Sequence, residues 1–239
     1  MRKTILITGA GTRLGKQVAT ALSEDGWRIA IHYNRSRGKA EELVRTLPTQ
    51  CVAVGGNLVV PAQRDSLIRR AVEGLGTPLT ALINNASTYD PDTAEDFTSA
   101  SYDHHFDINL KAALILSRDF AKALPQEDSG CIINMIDQRV LRSNPDFFTY
   151  HLSKTALLEA TKTMAQTFAP RIRVNGIGPG PSLKNIHQSE AEFNKELKST
   201  LLGIGSPPET IVQGIKYLLA ARAVTGQMIA VDGGEHLKY

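Results

Sequence analysis

The chain is poor in cysteine, has no long apolar run and carries little excess charge of either sign. Two cysteines in 239 residues, Cys51 and Cys131, exclude a disulfide framework. Each lies inside a short apolar run, as a buried strand residue does in a protein of a reducing compartment. The first apolar run, after Arg2 and Lys3, stops at Thr8, too short for a secretion signal or a membrane span. A soluble, cytoplasmic protein is expected. Lys and Arg number 27 against 24 Asp and Glu, a net charge of +3 with no long basic run, which argues against nucleic acid as a partner. There is no internal repeat, low-complexity tract or interdomain linker, and no metal-ligand set is assigned. A hydrophobic content of 42% supports one sizeable core, so a single domain over 1–239 is expected.

What is present is a rhythm. Short apolar runs, such as Ile5-Leu6-Ile7, Ile29-Ala30-Ile31 and Cys131-Ile132-Ile133, alternate with segments whose apolar residues recur every four positions, such as Leu14, Val18 and Leu22. This βαβ alternation predicts a doubly wound parallel sheet of about seven strands with helices on both faces, a Rossmann fold. Polar residues and glycines cluster where the strands end, and ligands bind there in such sheets. Two stretches break the rhythm. Residues 88–101 read as a polar loop beside the cleft, and 181–208 as a lid holding a short helix around 190–201.

The most informative run is Thr8-Gly9-Ala10-Gly11-Thr12-Arg13-Leu14-Gly15. It joins a strand to a helix start, where small residues let a backbone approach a diphosphate and free N–H groups face it. The spacing is not G-x-G-x-x-G, and a cation, Arg13, stands just before Leu14. Further along, Tyr150 and Lys154 lie four apart on one helical face. An ammonium at about 4 Å is worth roughly 4 kcal/mol at an effective dielectric of about 20, enough to bring a phenol toward useful proton transfer near neutral pH.

The order of glycine turn, Asn84-Asn85-Ala86, Asn109, Asp137, Tyr150, Lys154, Pro179-Gly180 and the closing Val231-Asp232-Gly233-Gly234 resembles the short-chain dehydrogenase/reductase superfamily over nearly the whole chain. The resemblance implies that Tyr150 donates a proton, that Lys154 lowers its pKa and holds the nicotinamide ribose, and that Asn109 carries a relay water. It also implies a homotetramer built on the long helices near 104–124 and 150–169. Asp137 departs from the pattern, because the family has a serine there, thirteen residues before the tyrosine. An ionised carboxylate repels a carbonyl oxygen gaining charge, whereas a carboxyl group suits ring nitrogens that need protons.

A narrower resemblance, to the pteridine reductases and the bacterial dihydromonapterin (dihydrofolate) reductases, rests on Arg13, the run from His32 to Ser36, Asn85-Ala86-Ser87, Asn134-Met135-Ile136-Asp137, Pro181-Ser182-Leu183 and Glu190-Ala191-Glu192-Phe193. It implies that a pterin stacks between the nicotinamide and Tyr89, held by Ser87, Asp137 and Tyr150. The proton donor is Tyr150 or Asp137. The second strand ends in His32-Tyr33-Asn34-Arg35-Ser36-Arg37, without the acid that holds the free ribose hydroxyls of NAD. Arg13, Arg35 and Ser36 suit a 2′-phosphate instead, and NADPH is the expected cofactor. Gly9, Leu14, Gly15, His32, Tyr33, Asn34, Asn57, Leu58, Asn85, Ala86, Ser87, Tyr150, Lys154, Pro179, Gly180 and Ser182 complete its expected site. Asn57 stands where the family commonly has aspartate. A carbonyl or hydroxysteroid-type reductase, with Asp137 silent, and a nucleotide sensor without turnover are the alternative readings. The tail residues His236 and Tyr239 are read as surface residues.

Overall fold

In the computed structural model, residues 3–184 and 188–238 are described. Seven strands form one parallel sheet in the order β3-β2-β1-β4-β5-β6-β7. They are β1 (Thr4–Ile7), β2 (Arg28–Tyr33), β3 (Cys51–Gly55), β4 (Ala81–Asn84), β5 (Gly130–Met135), β6 (Ile172–Pro179) and β7 (Met228–Val231). The chain is a single α/β domain of the Rossmann type. The strand order reverses between β1 and β4, and that switch point opens a crevice at the carboxyl ends of the strands.

The helices are α1 (Arg13–Glu24), α2 (Arg37–Thr46), α3 (Pro61–Asp65), α4 (Leu67–Leu75), α5 (Ser99–His105), α6 (Ala112–Ala123), α7 (Phe148–Phe168), α8 (Glu190–Ser199) and α9 (Pro208–Ala220). Alternation along the strands divides the core. Ile5 and Ile7 face one way and pack with Val18 and Leu22 of α1 and Ile215 and Leu218 of α9. Leu6 faces the other way and packs with Leu75 of α4 and Leu116 and Phe120 of α6. Burying each large aliphatic side chain contributes on the order of 2 kcal/mol, so the two apolar layers fix the sheet and leave its polar ends free for chemistry. A π-helical segment, Phe106–Lys111, links α5 to α6, and 3-10 turns occupy Gln138–Leu141 and Glu235–Leu237. No helix among the described residues is long and apolar enough to cross a membrane.

The lid expected over 181–208 carries its helix as α8, although positions 185–187 lie outside the described residues. His236 is not a plain surface residue: its Nδ1 lies 2.6 Å from Asp232, and it is partly buried. Tyr239 lies outside the described residues.

Candidate active site

A cleft of about 1080 Å³ runs across the carboxyl ends of the strands. It gathers every residue named above for cofactor or substrate except Asn109. One end is made largely of backbone. The glycine turn leads into α1, whose first turn has no side-chain cap and no acid, so its N–H groups remain available to an anion. A Cβ on Gly15 would sit 2.5 Å from the Gly9 carbonyl, which is why this packing tolerates only glycine. Asn85 holds the turn from β4, donating its Nδ2 to the Thr8 and Gly9 carbonyls at 2.7 and 3.3 Å.

His32 holds the same turn from β2. Its Nδ1 accepts from the Gly9 N–H at 3.1 Å, so Nε2 carries the hydrogen and donates to the Gly56 carbonyl at 2.8 Å. Burial pushes its pKa from 6.5 down to about 4. Its imidazole therefore positions the turn, where the sequence suggested a cofactor contact. Arg13 also does something unexpected. Its Nη2 donates to the carbonyls of Leu183 and Lys184 at 3.3 and 3.1 Å, tying the turn to the start of the lid segment. Tyr33, Asn34, Arg35 and Ser36 line the same end with no acidic side chain among them. Free helix N–H groups, an exposed Arg35 and the missing acid fit a dinucleotide that carries a third phosphate.

The other end is made of side chains. Tyr150, buried near the start of α7, donates its hydroxyl to Asp137 Oδ2 at 2.7 Å. The second oxygen of Asp137 accepts from the Arg139 N–H at 2.8 Å and caps the 3-10 turn that follows β5. Asp137 thus both ends a strand and grips the tyrosine. Lys154 Nζ donates to the Met135 carbonyl at 2.8 Å and lies 5.7 Å from the centre of the Tyr150 ring. The Tyr150 pKa moves opposite to the lowering expected from a neighbouring lysine. Burial, then the Asp137 carboxylate, raises the Tyr150 pKa well above 10. Burial likewise lowers the Lys154 pKa, to about 8.

Asn109 does not reach the cleft. Its Oδ1 accepts from Ser87 Oγ and the Thr88 N–H, and its Nδ2 donates to the Thr88 carbonyl and Ser153 Oγ. Both halves of the amide are satisfied, so the side chain fixes Ser87 and has no room in its bonding for the expected water.

Tyr89 has one ring face covered. Phe147 stacks on it with centroids 4.0 Å apart, and the Tyr150 ring stands at 84° to it with centroids 4.7 Å apart. Arg139 donates to its hydroxyl, and burial raises the Tyr89 pKa to about 12. A flat ligand therefore meets a tyrosine already braced by an aromatic and a guanidinium. Phe147 holds a left-handed backbone, φ +60, an uncommon conformation that only the surrounding packing explains.

Sequence reasoning missed Gln138, Arg139, Phe147, Glu196 and Glu235, all of which line the cleft. Position immediately after Asp137 was the available signal for the first two. Glu196 of α8 and Glu235, with Glu192 and Asp137, make this end acidic around a single arginine, Arg139. Burial, then the Glu196 charge, raises the Glu235 pKa.

The short chain dehydrogenase family matches residues 3–195. Two solved structures align over 99% of this chain at 37% identity. One is described as FolM alternative dihydrofolate reductase 1 from Brucella suis in complex with NADP, TM-score 0.92, of which 96% is covered. The other is the corresponding protein from Brucella canis, complexed with NADP, TM-score 0.93, of which 95% is covered. Among curated sequences, a 3-oxoacyl-[acyl-carrier-protein] reductase FabG of Staphylococcus epidermidis is 27% identical over 99% of this chain and 100% of its own length.

Proposed function

This chain is a member of the short-chain dehydrogenase family, and from that premise we propose that it is an NADPH-dependent reductase of a dihydropterin, such as dihydromonapterin or dihydrofolate. The observation that carries this reading is the 2.7 Å hydrogen bond from Tyr150 to Asp137, in a cleft that also presents the braced ring of Tyr89. NADPH, when bound, supplies the hydride that goes to the carbon of a ring C=N bond. Tyr150 holds the proton that the ring nitrogen must gain, and Asp137 fixes the direction of that O–H. Lys154, Tyr150 and the Pro179-Gly180 turn would hold the nicotinamide half, and Arg35 and Ser36 would hold the 2′-phosphate. The two NADP-bound relatives described as dihydrofolate reductases support the same reading.

Similarity to the 3-oxoacyl reductase favours a ketone reductase as the second reading. Two features oppose it. Asp137 places a carboxylate where an oxyanion would grow, and Glu192, Glu196 and Glu235 line the approach that an anionic carrier thioester would take. The long helices support a further proposal, a homotetramer assembled through α6 and α7, where Leu152 stands exposed; sedimentation of the purified protein as a monomer would remove it.

The test is NADPH oxidation with 7,8-dihydromonapterin, 7,8-dihydrofolate and a 3-oxoacyl thioester in parallel, with Asp137→Ser beside the wild type. Dihydropterin turnover that falls about 100-fold in the variant is the expected outcome. Thioester turnover that persists or rises in the variant, with no dihydropterin activity in either protein, would sink the proposal.

A further inference from the structure

Tyr89 and Tyr150 meet in the cleft, yet segments far apart in the chain carry them. Behind them lies a buried polar cluster that the chemistry above does not use, made of Asp92, His105 and Thr149. Asp92 belongs to the loop that carries Tyr89, His105 ends α5, and Thr149 lies in the first turn of α7, next to Tyr150.

The bonds of the cluster run in one direction. His105 Nε2 accepts from the Asp90 N–H at 3.1 Å, so Nδ1 carries the hydrogen and donates to Thr149 Oγ1 at 2.7 Å. The Thr149 hydroxyl in turn donates to Asp92 Oδ2. Asp92 Oδ1 accepts from the Thr149 N–H at 2.9 Å, and the Asp92 carbonyl accepts from the Phe148 N–H at 3.0 Å. Phe147, which precedes α7, gives that helix no side-chain cap. Asp92 takes the role from a separate loop and satisfies two N–H groups that a helix start leaves unpaired.

Each contact ends one residue from a group that acts in the cleft. Asp90 follows Tyr89, whose other neighbour, Thr88, is held by Asn109 through both its N–H and its carbonyl. Phe148 follows Phe147, which stacks on Tyr89. Thr149 precedes Tyr150, and the His105 ring stands at 71° to the Tyr150 ring with centroids 6.0 Å apart. Burying three polar side chains costs more than burying apolar ones of the same shape. A fully bonded chain gives a single register in return.

We propose that Asp92, His105 and Thr149 are positioning residues that hold the Tyr89 ring in register with the Tyr150 hydroxyl, so that a substrate stacked on the one meets the proton of the other. None of the three lines the cleft, so they act through the two tyrosines. A displacement of reacting groups by about 1 Å lowers a rate by as much as about 100-fold. This inference rests on the dihydropterin reading and adds the frame that gives its two tyrosines one geometry.

The experiment compares Thr149→Val, which keeps the shape and removes the hydroxyl, with Thr149→Ser, which keeps the hydroxyl. Asp92→Asn, which puts a donor in place of one carboxylate oxygen, breaks the chain at a second point. The melting temperature and the NADPH Kd are measured, with KM and kcat for 7,8-dihydromonapterin at saturating NADPH, well below the lowest melting temperature. Thr149→Val should lower kcat about 10- to 100-fold and raise the pterin KM a few-fold, while the NADPH Kd stays within about twofold. Asp92→Asn should show the same split. Thr149→Ser should return kcat to within about threefold of the wild type, because the hydroxyl again links His105 to Asp92.

A lower melting temperature with kcat and KM unchanged would make the cluster structural alone. An NADPH Kd that rises as much as the pterin KM would show a general loosening of the fold. A serine variant as slow as the valine variant would assign the effect to the threonine methyl. Failure of both Thr149→Val and Asp92→Asn to fold would assign the cluster to stability. Each of these results overturns the inference, while wild-type pterin turnover in the same assay leaves the proposed function standing. If the wild type reduces no dihydropterin, both readings fall together.

Discussion

At one end of the cleft, the glycine turn and the start of α1 offer mostly backbone, with Tyr33, Asn34, Arg35 and Ser36 beside them. At the other end, Tyr89, Asp137, Gln138, Arg139, Phe147, Tyr150, Glu196 and Glu235 arrive from four separated parts of the chain, and what they offer is side chains. The supports differ in the same way. Asn85 and a neutral, buried His32 hold the glycine turn through hydrogen bonds to main-chain atoms. The aromatic end is held by side chains on side chains, as Phe147 on Tyr89 and Tyr150 on Asp137. A backbone site suits an invariant ligand such as a diphosphate, since every residue has an N–H. A side-chain site suits selection among substrates, because one substitution changes one contact.

The division is open to attack by substitution. Tyr150→Phe should reduce kcat about 10²- to 10⁴-fold while the NADPH Kd stays within about twofold. Loss of cofactor binding on the same scale would mean that the two ends are not separable. His32 tests the support of the backbone end by pH. The fold keeps this imidazole neutral down to about pH 4, whereas the unfolded chain takes up a proton near 6.5. The unfolded state thus holds more protons between these values. The stability due to this group is full above pH 6.5 and falls as pH drops toward 4, by about 3 kcal/mol. Urea unfolding of wild type and His32→Gln across that range should show a shallower acid limb in the variant; parallel limbs would assign the loss to other groups.

Arg35→Ala should weaken NADPH binding about 10- to 100-fold, leave NADH binding unchanged and spare the substrate KM. A loss that NADH shares would place Arg35 away from the 2′-phosphate. The smallest effect is expected from Glu196→Gln combined with Glu235→Gln. Removing two carboxylates near the substrate should lower KM for a glutamate-tailed dihydrofolate a few-fold, more at low salt than high, and leave a dihydropterin with an uncharged tail unaffected. Equal changes for both substrates would show that these acids do not read the tail's charge.

The backbone end was legible because its causes are local. Short continuous apolar runs set the strands, Leu14, Val18 and Leu22 set the helix, and the lack of an acid after His32 is visible in a run of six residues. The Tyr150 and Lys154 pair is also local, one helical turn apart. Their electrostatic balance was not legible, because burial and the Asp137 carboxylate act on Tyr150 together and move its pKa opposite to the lowering expected from lysine. Asn109 misled for a similar reason. Its place in the sequence says nothing of the four partners that occupy its amide.

The sequence by itself determined the layered sheet and the site of the glycine turn, since periodicity and spacing over a few residues suffice for these. Tertiary structure alone decided which groups are left unpaired and which are held. Gln138 lies in an ordinary polar stretch after a strand, and only the fold around it leaves its carboxamide oxygen buried without a partner. Hydrogen-bond satisfaction is a property of the surroundings, and those are assembled from residues far apart in the chain.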